Sequence, residues 1–155
     1  AKDRGAHVIT TVGSRHKESL AKKLGADFVI NYKEKDFQDE VRKHTKGTGA
    51  QVVLEHIGAE TFTKSIASLS KLGRLVTCGV TSGGQVQIDL RFLFVRQHSV
   101  MGCYMGGRKE LDSVIQLLEL GRLKPVVDSV MPLSQARNAQ TRMLERKNFG
   151  KIVLS

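Results

Sequence analysis

The sequence contains no tryptophan, two tyrosines, two prolines and two cysteines in 155 residues. Two cysteines cannot staple a small domain, so a disulfide framework is excluded and the fold must rest on a packed core. No apolar run approaches the ~20 residues that a membrane-spanning helix requires. The opening residues 1–5 lack the basic and apolar segments of a secretory signal. These absences lead us to expect a soluble, cytoplasmic protein with no membrane partner. Acid is also scarce: 15 Asp and Glu face 25 Lys and Arg, for a net charge of +10. Such an excess suggests nucleic acid, but it is spread along the chain and interleaved with acids, as in Lys33-Glu34-Lys35-Asp36 and Leu144-Glu145-Arg146-Lys147. With 5% aromatic residues there is little surface on which bases could stack, so no nucleic-acid partner is expected.

Signatures of common chemistries are missing too. There is no G-x-G-x-x-G, no phosphate-loop motif and no G-x-S-x-G. Gly47-Thr48-Gly49 lacks the third glycine and reads as a turn. The five histidines and two cysteines show no paired ligand spacing, so no metal site is expected. Cys78 has no evident base beside it, and no catalytic residue is assigned.

What is present is a regular alternation. Strand-like runs rich in Val, Ile, Leu and Thr cover residues 6–12, 27–31, 51–57, 74–80 and 99–105. Several are almost continuously apolar, as suits strands buried on both faces of a parallel sheet. Helical patterns lie between them. Leu20, Ala21 and Leu24 share a face, with Ser14 placed to cap and Gly25 to stop the helix. Phe37 and Val41 follow Asp36. Phe62, Ile66 and Leu69 form one apolar stripe, and Leu90, Leu93 and Phe94 another. Residues 1–4 read as the last turn of a helix ending at Gly5. Strand centres recurring every ~20–25 residues mark βα units. Beyond Met105, Leu111, Val114, Ile115 and Leu118 give an amphipathic helix. A strand-like run at 126–131, a helix behind Ser134 and a closing strand at 151–154 complete the chain. The expected fold class is α/β: a doubly wound, parallel Rossmann-type sheet lacking its first strand, with a C-terminal αβαβ extension.

The most informative segment is Thr10-Thr11-Val12-Gly13-Ser14-Arg15-His16-Lys17, which leaves a strand and enters a helix. In a dinucleotide-binding sheet an acid at this point accepts the ribose hydroxyls of NAD, whereas a 2′-phosphate repels acids and favours cations and hydroxyl donors. No acid occurs from Val8 to Lys17; Ser14, Arg15 and Lys17 stand at a helix start, which itself attracts anions. The pattern fits NADP(H), although a solvated basic turn would look the same.

These residues resemble the medium-chain dehydrogenase/reductase superfamily, specifically its quinone oxidoreductase-like branch. The resemblance runs through Gly13-Ser14 and Lys17, Leu24-Gly25-Ala26-Asp27, Val29-Ile30-Asn31-Tyr32, Asp36-Phe37, Val52-Val53-Leu54 with Gly58, Gly73-Arg74-Leu75-Val76-Thr77-Cys78-Gly79, Ile88-Asp89-Leu90, Met101-Gly102, Gly121-Arg122-Leu123-Lys124-Pro125 and Phe149-Gly150-Lys151-Ile152-Val153-Leu154. It implies a nicotinamide-dependent oxidoreductase. Residues 1–121 would be part of the coenzyme domain, and 122–155 a segment returning to a GroES-like catalytic domain. It implies that Ser14, Arg15 and Lys17 face the 2′-phosphate and that Tyr32 offers its hydroxyl to the same group. Gly58, Cys78, Gly79, Val80 and Thr81 would end central strands against the cofactor. Cys103, Tyr104 and Met105 would end the sixth strand near the nicotinamide, and Lys151 would reach a cofactor phosphate. The implied substrate is a small quinone, enone or activated carbonyl, and the implied assembly a homodimer through the uncharged edge at 99–105. A basic α/β module binding RNA or a protein partner without catalysis is the alternative.

Overall fold

A single 3-10 turn, Lys2–Arg4, closes on Gly5 in the left-handed conformation, the helix ending expected there. The computed structural model describes all 155 residues, and βα alternation begins directly after this turn. Strand β1 (Ile9–Val12) leads through Gly13 and Ser14 into helix α1 (Arg15–Lys23). Glu18 lies in the first turn of α1 and Lys22 and Lys23 in the last, each complementing the helix dipole, and Gly25 takes a positive φ just beyond it. Strand β2 (Phe28–Asn31) follows, then helix α2 (Phe37–His44), whose Asp36 cap accepts hydrogen bonds from the amides of Gln38 and Asp39.

Strand β3 (Ala50–Glu55), helix α3 (Phe62–Ala67), strand β4 (Leu69–Thr77), helix α4 (Leu90–Arg96) and strand β5 (Ser99–Gly102) repeat the unit. Here the structure corrects the sequence reading. Leu69 does not close the α3 stripe but opens β4, pairing with Ala50 ahead of a register shift. The strands also stop earlier than the apolar runs do. The ladders end at Glu55 with Thr77 and at Thr77 with Gly102, leaving residues 78–81 and 103–105 as loop.

All pairings are parallel. β1 pairs only with β2, while β3, β4 and β5 form a second sheet in that order. The two sheets share no ladder. This is the doubly wound order 3-2-1-4-5-6 with its first strand left out, as expected. The main core lies under the second sheet, where Phe62, Ile66, Leu69 and Leu75 are buried and Val53, Ile88 and Leu93 pack against them. Val12, Ala21, Ile30 and Val41 are buried around the first sheet.

Residues 106–155 make a separate compact unit from residues 1–105. It contains helix α5 (Arg108–Glu119), strand β6 (Val127–Met131), helix α6 (Ala136–Leu144) and strand β7 (Lys151–Leu154), with β6 and β7 paired in parallel. The αβαβ extension is therefore present. Ser134 lies inside a 3-10 turn, Leu133–Gln135, and Gln135 takes the cap position of α6 instead. Lys151 is the first residue of β7, the closing strand expected at 151–154.

Candidate functional site

The carboxyl ends of β1 and β2 bring four of the expected residues together. Ser14 is the N-cap of α1 in extended conformation, and its side chain makes no capping hydrogen bond. The hydroxyl is thus not committed to the helix. Arg15 and Lys17 occupy the first turn, where the unpaired amides of the nine-residue helix already favour an anion. Tyr32 follows β2, and its amide donates to the Val12 carbonyl at 3.1 Å, extending the ladder by one residue. The ring then folds back over the β1–α1 turn: a Cβ at position 13 would lie 2.6 Å from Tyr32 Oη. Glycine at 13 is what lets the phenol sit over that turn.

A further charge enters from a direction the local sequence pattern does not show. Arg15 Nε donates to Glu34 Oε1 at 3.0 Å. The segment from Val8 to Lys17 is free of acids, but the loop after β2 supplies one. The hydrogen bond to Glu34, reinforced by its charge, pushes the Arg15 guanidinium above its ordinary pKa. Arg15, Glu18, Val29, Asn31, Glu34 and Lys35 line an open recess of about 380 Å³ between the start of α1 and the loop after β2.

The carboxyl ends of β3, β4 and β5 hold the rest of the expected set. Glu55 ends β3 and is 3% exposed. Its carboxylate accepts from the amides of Ile57 and Gly58 and from the hydroxyls of Thr61 and Ser65. Burial alone would push this acid up, but those donors outweigh it and hold the pKa below the ordinary glutamate range. The carboxylate shapes the turn at Gly58, whose φ of +93° and contact with the Gly83 backbone leave no room for a side chain. The following loop is laced to it. Thr81 Oγ1 donates to the His56 carbonyl at 3.0 Å, Ser82 Oγ to the Ile57 carbonyl at 2.8 Å, and the Ala59 amide to the Gly83 carbonyl at 3.0 Å. Cys78, Gly79, Val80 and Thr81 therefore lie on a backbone surface fixed by Glu55. Sequence reasoning missed Glu55, although a lone acid ending an apolar strand three residues before a glycine was the available signal.

Cys103, Tyr104 and Met105 extend past β5 and are exposed, with Tyr104 94% accessible. Lys151 belongs to the second unit. No three of the His, Cys, Asp and Glu side chains gather into a group that could hold a metal ion. No helix is long and apolar enough to cross a membrane.

The chain is similar to known proteins over nearly its whole length. The sequence model of the family described as zinc-binding dehydrogenase matches residues 1–119. Quinone oxidoreductase-like protein 2 of Mus musculus is 30% identical over 159 aligned positions, which cover 97% of this chain and 45% of that protein. The crystal structure of an NAD-dependent alcohol dehydrogenase superposes with a TM-score of 0.93 at 40% identity, covering 100% of this chain and 45% of that one. The 2-octenoyl-CoA carboxylase reductase CinF, solved in complex with NADP and 2-octenoyl-CoA, gives a TM-score of 0.88 at 28% identity, covering 99% of this chain and 38% of that one. The chain thus spans a little under half the length of the relatives it matches. None of these matches favours a non-catalytic nucleic-acid module.

Proposed function

The chain belongs to the zinc-binding dehydrogenase family, in the quinone oxidoreductase-like branch of the medium-chain dehydrogenases/reductases, and on that footing we propose that it is the NADP(H)-binding portion of an oxidoreductase acting on a quinone, a conjugated enone or another activated carbonyl. One observation carries the cofactor choice. Ser14, Arg15, Lys17 and Tyr32 gather around a glycine turn at the start of a helix, and Glu34, from the loop after β2, is held by Arg15. That is a donor set for a phosphate on the ribose, and Gly13 and Gly58 mark where backbone must stay bare for close approach. A bound nicotinamide supplies the hydride chemistry. The chain's own residues bind and orient: Ser14, Arg15, Lys17 and Tyr32 the adenosine end, and Gly58, Cys78 to Thr81 and Cys103 to Met105 the nicotinamide end.

The relatives support substrates of this class: one is named a quinone oxidoreductase-like protein and one was solved with 2-octenoyl-CoA, an unsaturated acyl thioester. The residues of this chain do not fit a zinc site, so no step is assigned to zinc here. Residues 1–121 correspond in this reading to the coenzyme domain and 122–155 to the segment returning to the catalytic domain. β5 is uncharged, pairs on one side only with β4 and exposes Val100 and Met101, which supports a homodimer joined through this edge. Titration with NADPH and NADH by calorimetry tests the cofactor choice. NADPH is expected to bind up to about tenfold tighter than NADH, with the advantage removed by Arg15→Ala or Lys17→Ala. Equal affinities that neither substitution moves refute the 2′-phosphate assignment.

A further inference from the structure

The recess beside α1 is balanced in charge: Arg15 and Lys35 face Glu18 and Glu34 across it. Arg15 and Glu34 form a direct ion pair at 3.0 Å, and Lys35 leans to Glu40 at 3.5 Å on the neighbouring helix. Any phosphate that draws on Arg15 must therefore share the guanidinium with a carboxylate or displace it. A dianion brought within a few ångströms of that carboxylate is also repelled by it, because both groups sit at the solvent boundary where the interaction is weakened but not abolished. Arg15 Nε, the nitrogen closest to the backbone, is the one engaged by Glu34 in the loop after β2. The Glu34 side chain is half-exposed and is hydrogen-bonded to Arg15. No hydrogen bond or ion pair to the core depends on it, so the pair can be altered without touching the fold.

We propose that Glu34 is a specificity-determining residue that restrains 2′-phosphate binding by occupying Arg15, so that this site discriminates less sharply between phosphorylated and unphosphorylated adenosine riboses than its basic residues alone would. The proposal rests on the NADP(H) reading above and deepens it. A dehydrogenase with such a counter-charge accepts both nicotinamide cofactors with a modest preference, and the size of the preference is set by one exposed carboxylate.

The test uses the full protein and two small probes that carry only the adenosine end, 2′,5′-ADP and 5′-AMP, titrated by calorimetry at low salt. Glu34→Gln is expected to tighten 2′,5′-ADP about fivefold, the upper range for an exposed ion pair, and to leave 5′-AMP within about twofold. The gain shrinks in high salt, as a charge effect at the surface must. In an Arg15→Ala background Glu34→Gln is expected to lose most of its effect. The inference is overturned if Glu34→Gln leaves 2′,5′-ADP unchanged or shifts both probes alike. If Arg15→Ala weakens 2′,5′-ADP while Glu34→Gln does nothing, the phosphate site stands and the restraint falls. If neither substitution moves either probe, both fall. Circular dichroism of each variant checks that the fold is kept.

Discussion

Gly13 shows how one missing side chain can shape a site. Its backbone is unstrained, with no positive φ, so the requirement is space alone. A methyl group there would meet the far end of Tyr32, Oη at 2.6 Å and Cζ at 3.0 Å. Tyr32 is 43% exposed and can swing outward, so Gly13→Ala should cost under about 1 kcal/mol of stability, while removing the phenol from above the β1–α1 turn. We expect NADPH affinity to fall about tenfold, the worth of one hydrogen bond to a charged group, with the melting temperature nearly unchanged. Calorimetry and thermal melts on the same sample read both. This scale was only half legible beforehand. The hydroxyl and the cations at positions 14, 15 and 17 follow from residue type and position at a strand end. That Tyr32 folds back over Gly13, and that Glu34 answers Arg15, are contacts between βα units nineteen residues apart in chain, which no local pattern encodes.

Among the elements, the β3–α3 turn has the clearest energetic centre. Glu55 satisfies two amides and two hydroxyls from a buried position, and the loop after β4 hangs on the turn it shapes. Glu55→Gln leaves the bulk but loses the charge and turns one acceptor into a donor facing Ser65. The expected cost is about 2 kcal/mol at neutral pH, measured by denaturant unfolding. The folded pKa of Glu55 lies below its unfolded value, so its stabilisation is full above the ordinary glutamate pKa and is lost as the pH falls through the folded value. Wild type and Glu55→Gln should therefore differ most near neutrality and converge only as the pH falls from the ordinary glutamate range through the lower folded value. A constant gap across that range would contradict the ionised role. Element types were readable from period and caps: Asp36, just ahead of the Phe37 and Val41 pair, does cap α2. Boundaries were less so. Leu69 has the right spacing for the α3 stripe yet belongs to β4, because its side chain fills the same core from either assignment while its backbone finds Ala50.

For the whole molecule, the unjoined sheets and the exposed apolar residues belong together. Val52 and Leu54 on β3, Leu90, Phe94 and Val95 on α4 are all more than half exposed, although the sequence places them in elements that a doubly wound domain covers on both faces. The alternation, the strand order without its first member and the C-terminal extension were all legible, because βα periodicity survives even when a neighbouring strand does not. The charge of +10 was the less reliable guide. Two of the cations that matter, Arg15 and Lys17, lie two residues apart, and Arg15 is held by Glu34. The most direct measurement is amide chemical-shift mapping of the isotopically labelled chain during NADPH titration. The account predicts saturable shifts at Gly13, Ser14, Arg15, Lys17 and Tyr32, larger with NADPH than with NADH. Shifts confined to other residues, or identical for the two cofactors across this turn, would contradict it.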